Sequence, residues 1–279
     1  MLATLIIVFR EVIEAGLIVG IVLAATQGVA RRGWFVTYGV IAGILGACLV
    51  AGFAGEIASL FSGSGQEIFN ASILLLAVCM LTWHNVWMAG HGRQMAQEMK
   101  AVGAEVAAGQ KSLTALAIVV GVAVLREGSE VVLFLYGIAS QGGTSNVAML
   151  LGGVLGLAAG AGVSALMFFG LLQIPAGKLF SVTAWLITLL AAGMAAQAVL
   201  FLQQAGYLQV LQSTVWDTSW LLSQDSIAGR LLHTLIGYND SPNGAQLIVY
   251  GATIAIIMGL TRWEHAHHPK RRVVVAPAE

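Results

Sequence analysis

Charge is scarce in this sequence. Asp, Glu, Lys and Arg make up 9% of its 279 residues, against about a quarter in an ordinary soluble domain. Hydrophobic residues make up 58%, and the mean hydropathy is +0.86. That excludes a soluble globular protein and implies an all-α polytopic membrane protein. Cysteine is nearly absent too. Cys48 and Cys79 each sit in an apolar run with no Cys or His at ligand spacing, so both read as small buried residues. No stretch resembles a nucleotide-binding loop or a nucleic-acid-binding module, so no nucleic-acid partner is expected. The N-terminus shows neither a basic n-region nor a small-residue cleavage site, so the first helix is expected to be retained.

What is present is a series of apolar runs. A helix needs about 20 mostly apolar residues to cross a bilayer. Seven runs qualify: 2–28, 34–61, 66–90, 112–140, 146–174, 178–205 and 243–262. With seven spans, Arg31, Arg32, Arg93, Lys100, Lys111, Lys178, Arg262, Lys270, Arg271 and Arg272 all fall on one side. The other side holds Arg230 beside Glu67, Asp217, Asp225 and Asp240. Basic loops stay in the cytoplasm, so the N-terminus is expected outside and the C-terminus inside, in the cytoplasmic (inner) membrane. Trp34, Trp87 and Trp263 fall at the expected cytoplasmic ends, and Trp216 and Trp220 in the outer loop, as interfacial anchors. Gly152, Gly156 and Gly160 recur every four residues, as do Gly39 and Gly43; such spacing lets helix backbones approach closely.

Against this apolar background stand two clusters of charge: Arg10-Glu11-Val12-Ile13-Glu14 and Arg126-Glu127-Gly128-Ser129-Glu130. Six charged groups at helix centres would cost on the order of 15–20 kcal/mol if unpaired. They must face one another, face water, or hold an ion. The clusters are 116 residues apart, and the same offset carries the second and third runs close to the fifth and sixth. The first run points inward and the fourth outward, so the chain reads as an inverted repeat within one domain over 1–279. Residues 1–110 form the first three-helix unit and 111–205 the second; 206–279 hold the outer loop, the seventh helix and the cytoplasmic tail. Transporters built this way place their substrate near mid-membrane, between the halves.

Glu11 and Glu14 share a helix face, as do Glu127 and Glu130, and Arg10 and Arg126 lie four residues from Glu14 and Glu130. Four carboxylates converging across the repeat suit a hard cation. Arginine remains charged in any protein setting, so Arg10 and Arg126 would hold the carboxylates of the empty site. Buried salt bridges alone stabilise poorly compared with apolar packing, which disfavours a purely architectural role. A di-iron carboxylate enzyme would need Glu-x-x-His, and no His follows these glutamates by three. A proton-coupled transporter of another cation or small solute would use the same carboxylates as a relay, and remains the alternative.

The paired Arg-Glu-x-x-Glu motifs in the first and fourth helices of a seven-helix protein resemble the oxidase-dependent iron permeases, which include the fungal high-affinity iron permease and bacterial EfeU-type permeases. The charged positions match in both motifs; the first lacks the family's Gly and both lack its Leu. Leu81-Thr82-Trp83, Ala191-Ala192-Gly193 and Gly237-Tyr238 also look familiar. The resemblance implies iron transport into the cell, iron as cargo with no permanently bound cofactor, no enzymatic activity, and an extracytoplasmic iron oxidase or iron-delivery protein as partner. Glu11, Glu14, Glu127 and Glu130 are then the expected metal ligands, with no catalytic residue.

Other polar residues carry weaker expectations. Glu67 and Asp217 could mark an outer access path, though Glu67 also suits a helix start and 206–242 an interfacial helix. His84 and Asn85 are expected to be hydrogen-bonded between helices. Residues 91–111, with Met95, Met99, Val102 and Val106 on a helical period, read as a cytoplasmic surface helix. Glu264, His265, His267 and His268 before Lys270-Arg271-Arg272 read as a tail contacting anionic lipid.

Overall fold

The structure, a computed structural model, describes residues 1–60, 66–140, 145–170, 176–224 and 226–267, the side chains at 55–60, 92, 93, 176–180, 227, 234, 235, 265 and 267 excepted. Asp225, His268, Lys270, Arg271 and Arg272 lie outside the described residues. The described chain forms helices α1 Leu2–Ala25, α2 Arg32–Leu60, α3 Gln66–Ala107, α4 Leu113–Ser140, α5 Asn146–Phe168, α6 Ala176–Gln204, α7 Ile227–Ile236 and α8 Gly244–His267. Within α2, α3, α5, α6 and α8 lie five stretches long and apolar enough to cross a membrane. Helices α1 and α4 are 24 and 28 residues long and equally apolar at their ends, but each carries three charged residues midway. An all-helical multi-pass membrane protein follows, because hydrocarbon offers no partner to an unpaired backbone group.

Glycine decides which helices touch. Gly152, Gly156 and Gly160 are buried on α5 against α1. A Cβ at Gly156 would lie 2.7 Å from the Leu5 carbonyl oxygen, and one at Gly160 would lie 2.9 Å from that of Phe9. Gly39 and Gly43 do the same for α2 on α4, meeting the Ala117 and Gly121 carbonyls. Between these pairs runs the core, where Leu74, Ala77 and Leu81 of α3 interlock with Ile187, Leu190, Ala191 and Met194 of α6. Ile7, Phe134 and Ile257 close it from α1, α4 and α8. Large apolar side chains such as Leu45, Leu49, Phe53, Leu150 and Val154 point outward. Lipid solvates them there, so it is at the close helix contacts, as at Gly39, Gly43, Gly156 and Gly160, that small residues are needed.

Two expectations need correction. Cys48 and Cys79 are exposed on the outside of the bundle, since an apolar run in a membrane helix does not imply an inward face. The separate surface helix over 91–111 does not exist as such: α3 continues as one helix of 42 residues to Ala107. No proline interrupts it, and Gln94 to Val102 consists mostly of good helix formers. At about 1.5 Å per residue it is roughly 63 Å long, twice the ~30 Å hydrocarbon core. Its extension packs Val106, with Met99 at the edge, on Val22, Val36, Leu116 and Val120 rather than on lipid. Trp87, at the expected cytoplasmic end, is half-buried and lies beneath Arg126.

The segment after α6 folds back on itself. Thr218 donates its N–H to the Asp240 carbonyl oxygen at 2.8 Å, Gln224 N–H reaches the Asp240 carboxylate at 2.8 Å, and Tyr238 Oη donates to Leu222 O at 2.9 Å. Ser226 caps α7 by accepting from Gly229 N at 2.9 Å. Gly237 ends it in the left-handed region at φ 68°. Short α7 packs on α6 and α1. A Cβ on Gly193 would lie 2.7 Å from Gly237 Cα, so two of the segments with a familiar look meet backbone to backbone.

Candidate metal site

Residues 10–14 span one helical turn, so α1 presents Arg10, Glu11 and Glu14 to its neighbours together. Residues 126–130 repeat that on α4. The two helices pack on each other and on α3, and α3 inserts His84 between them. Arg10, Glu11, Glu14, His84 and Glu127 are all buried. Gly128 lets α2 close on α4, for a Cβ there would meet that of Ala47 at 2.7 Å. In the first motif Val12 occupies the corresponding position, and the small residue is Gly160 on the facing helix.

Glu11, Glu127 and Glu130 come together around His84, and Glu14 lies beside them, tied to Arg10 and His84. Arg10 Nε lies 2.9 Å from Glu14 Oε1, and its Nη1 lies 3.5 Å from Glu11 Oε1. Arg126 Nε lies 3.3 Å from Glu130 Oε1 and 3.8 Å from Glu127 Oε1. His84 links the halves: Nε2 is 3.2 Å from Glu14 Oε2 and 3.9 Å from Glu11 Oε2, while Nδ1 contacts Glu130 Oε2. Ligand atoms of Glu11, His84, Glu127 and Glu130 all lie within 4.8 Å of one another. Neither oxygen of Glu11 nor Oε2 of Glu127 has an aligned hydrogen-bond donor among the described residues. Buried acceptors are normally satisfied, and a cation would satisfy these. An oxygen-rich set with one imidazole fits a divalent first-row metal.

The two arginines differ. Arg10 is sealed in, with 3% of its side chain exposed, whereas Arg126 is 34% exposed and lies over the Trp87 ring, 4.4 Å from its centroid. His84 was expected to be a hydrogen-bonded interhelical residue; it is that, and it also sits inside the metal-type cluster. The signal that could have found it is a titratable residue inside an apolar span, which is functional by default. Spacing could not, for the position 116 residues on is Leu200. Asn85 follows expectation, donating to Thr188 Oγ1 at 3.1 Å on α6.

Glu67 and Asp217 do not join the cluster. Glu67 is exposed in the first turn of α3, where a carboxylate complements the helix dipole. Asp217 is exposed and accepts from Ser219 N at 2.9 Å. Bonds from the Ser219 side chain and backbone hold its carboxyl below the usual range.

A model of the iron permease FTR1 family matches residues 1–262. The ferrous iron permease EfeU of Escherichia coli O6:K15:H31 is 31% identical over 256 residues, covering 90% of this chain and 91% of the relative. That of Yersinia pestis is 31% identical over 255 residues, covering 90% and 89%. No solved structure matches. The chain therefore belongs to the iron permease FTR1 family, and is an iron transporter rather than an enzyme.

Proposed function

We propose that the protein carries ferrous iron inward across the cytoplasmic membrane through the Glu11, Glu14, His84, Glu127 and Glu130 cluster. The convergence of ligand atoms of Glu11, His84, Glu127 and Glu130, from α1, α3 and α4, within 4.8 Å carries this reading, and Glu14 is joined to them through His84 Nε2 at 3.2 Å. One imidazole among carboxylates favours Fe²⁺ over Ca²⁺ or Mg²⁺, which prefer oxygen alone. Helices α1–α6 and α8 are the seven spans, with the N-terminus outside and the C-terminus inside, and 1–110 and 111–205 are inverted units. The reciprocal packing of α2 on α4 and α5 on α1, each through glycines, supports the repeat. In that orientation Arg10 closes the cluster from outside and Arg126 from inside. Iron displaces the guanidiniums from the carboxylates; on release the ion pairs re-form.

Radio-iron uptake into liposomes is the test, with wild type beside Glu14→Gln and Glu127→Gln. Ferrous uptake lost in both variants is expected. Normal uptake by Glu127→Gln would sink the site. Uptake from supplied Fe²⁺ only when an extracytoplasmic iron oxidase is added would replace ferrous cargo with ferric iron formed by that oxidase.

A further inference from the structure

The two guanidiniums beside the cluster are held differently. Arg10 is sealed among carboxylates, whereas Arg126 keeps 34% of its side chain exposed and so has room to move. A second hold on Arg126 comes from α3. Its guanidinium carbon lies 4.4 Å from the centroid of the Trp87 indole while its Nε stays 3.3 Å from Glu130 Oε1. Trp83, one turn earlier on α3, is 73% exposed; Trp87 is half-buried. The plane of the Trp87 ring is fixed in turn. His91 stacks on it with centroids 5.3 Å apart and planes 5° from parallel, and Glu264 of α8 lies 3.5 Å from His91 Nδ1.

A cation over an indole face is attracted by the ring quadrupole, more strongly as water is withdrawn. The planar guanidinium suits that contact better than an ammonium would. The two holds on Arg126 respond differently to an ion. Carboxylates that turn toward a metal release the guanidinium, but the indole is no ligand and keeps its grip. We propose that Trp87 is a positioning residue for iron release: it keeps Arg126 beside the loaded site, so that the guanidinium recaptures Glu127 and Glu130 as the ion leaves. Without the ring Arg126 is hydrated away and recapture slows. Iron affinity changes little, because Arg126 competes with the metal through the carboxylates and not through the indole.

This role rests on the central-site reading, and the experiment separates the two. Anaerobic Fe²⁺ uptake into liposomes compares wild type, Trp87→Phe, Trp87→Leu and Glu127→Gln, and equilibrium dialysis counts iron bound to the same proteins in nanodiscs. Trp87→Leu keeps apolar bulk without a quadrupole. It is expected to lower the maximal rate about three- to tenfold, with KM and bound iron within about twofold of wild type. Trp87→Phe keeps a ring face and should recover about half of the lost rate or more. A wild-type rate in Trp87→Leu, an effect confined to KM, a Phe variant no faster than the Leu variant, or loss of bound iron in Trp87→Leu would overturn the role. Normal uptake by Glu127→Gln would remove the central site itself. Failed uptake by Glu127→Gln beside an unimpaired Trp87→Leu would remove only the role of Trp87.

Discussion

At the scale of single residues, the unusual position belongs to His84. It touches carboxylates of both charged helices, so it fixes the distance between the halves as well as offering nitrogen. His84→Ala is expected to reduce ferrous uptake by about tenfold or more, in keeping with the ~1.5–3 kcal/mol of a hydrogen bond to a charged group. His84→Gln should recover part of the loss if positioning is its task and none if ligation is; vesicle uptake with Fe²⁺ reads the difference. Asp217 supplies the contrast. Its carboxyl is depressed by Ser219, so it is ionised well into the acid range and loses that state only as the pH falls below the usual carboxylate range. Asp217→Asn should therefore leave the uptake rate and its profile between about pH 5 and 8 unchanged. A collapse of uptake would return Asp217 to the transport path.

Among the elements, helix pairing through glycine carries the architecture. Gly156 has no space for a methyl group against Leu5, whereas a Cβ at Gly162 on the same helix meets nothing within 4 Å. Gly156→Ala should lower stability by about 1–3 kcal/mol through overpacking. Gly162→Ala should be neutral or stabilising by up to ~1 kcal/mol, since alanine favours helix. Thermal unfolding in detergent compares them, and equal melting temperatures would remove the α1–α5 contact from the account. Gly39→Ala, facing the Ala117 carbonyl oxygen on the other pair, should behave like Gly156→Ala. The same logic was partly legible in sequence: four-residue glycine spacing marked both interfaces. Which helix each stripe would meet was not, because spacing along one helix contains no information about its partner.

Over the whole molecule, orientation is the property that charge alone assigns. With Cys48 and Cys79 changed to alanine, Ser213→Cys should react with an impermeant maleimide added outside intact cells. Gln110→Cys, in the turn between α3 and α4, should react only after permeabilisation. The reverse pattern would invert the protein and exchange the roles of Arg10 and Arg126. In the unaltered chain, Cys48 and Cys79 face outward from apolar helices. A lipid-soluble maleimide should label them and a water-soluble one should not.

The amino-acid sequence determined the membrane class, the rough placing of the helices and the two clusters of charge inside them. Those properties are one-dimensional: transfer free energy sums along a segment, and an unpaired charge in it is conspicuous wherever its partner lies. The tertiary structure decided what needs two helices at once. It put His84 among the glutamates, turned Trp87 beneath Arg126, faced Glu264 toward His91 and set Cys48 and Cys79 on the outer surface. Each of these depends on the rotation of a helix about its own axis. In a chain apolar on nearly every face, hydrophobic periodicity cannot fix that rotation; close packing at glycine and the pairing of buried charge do.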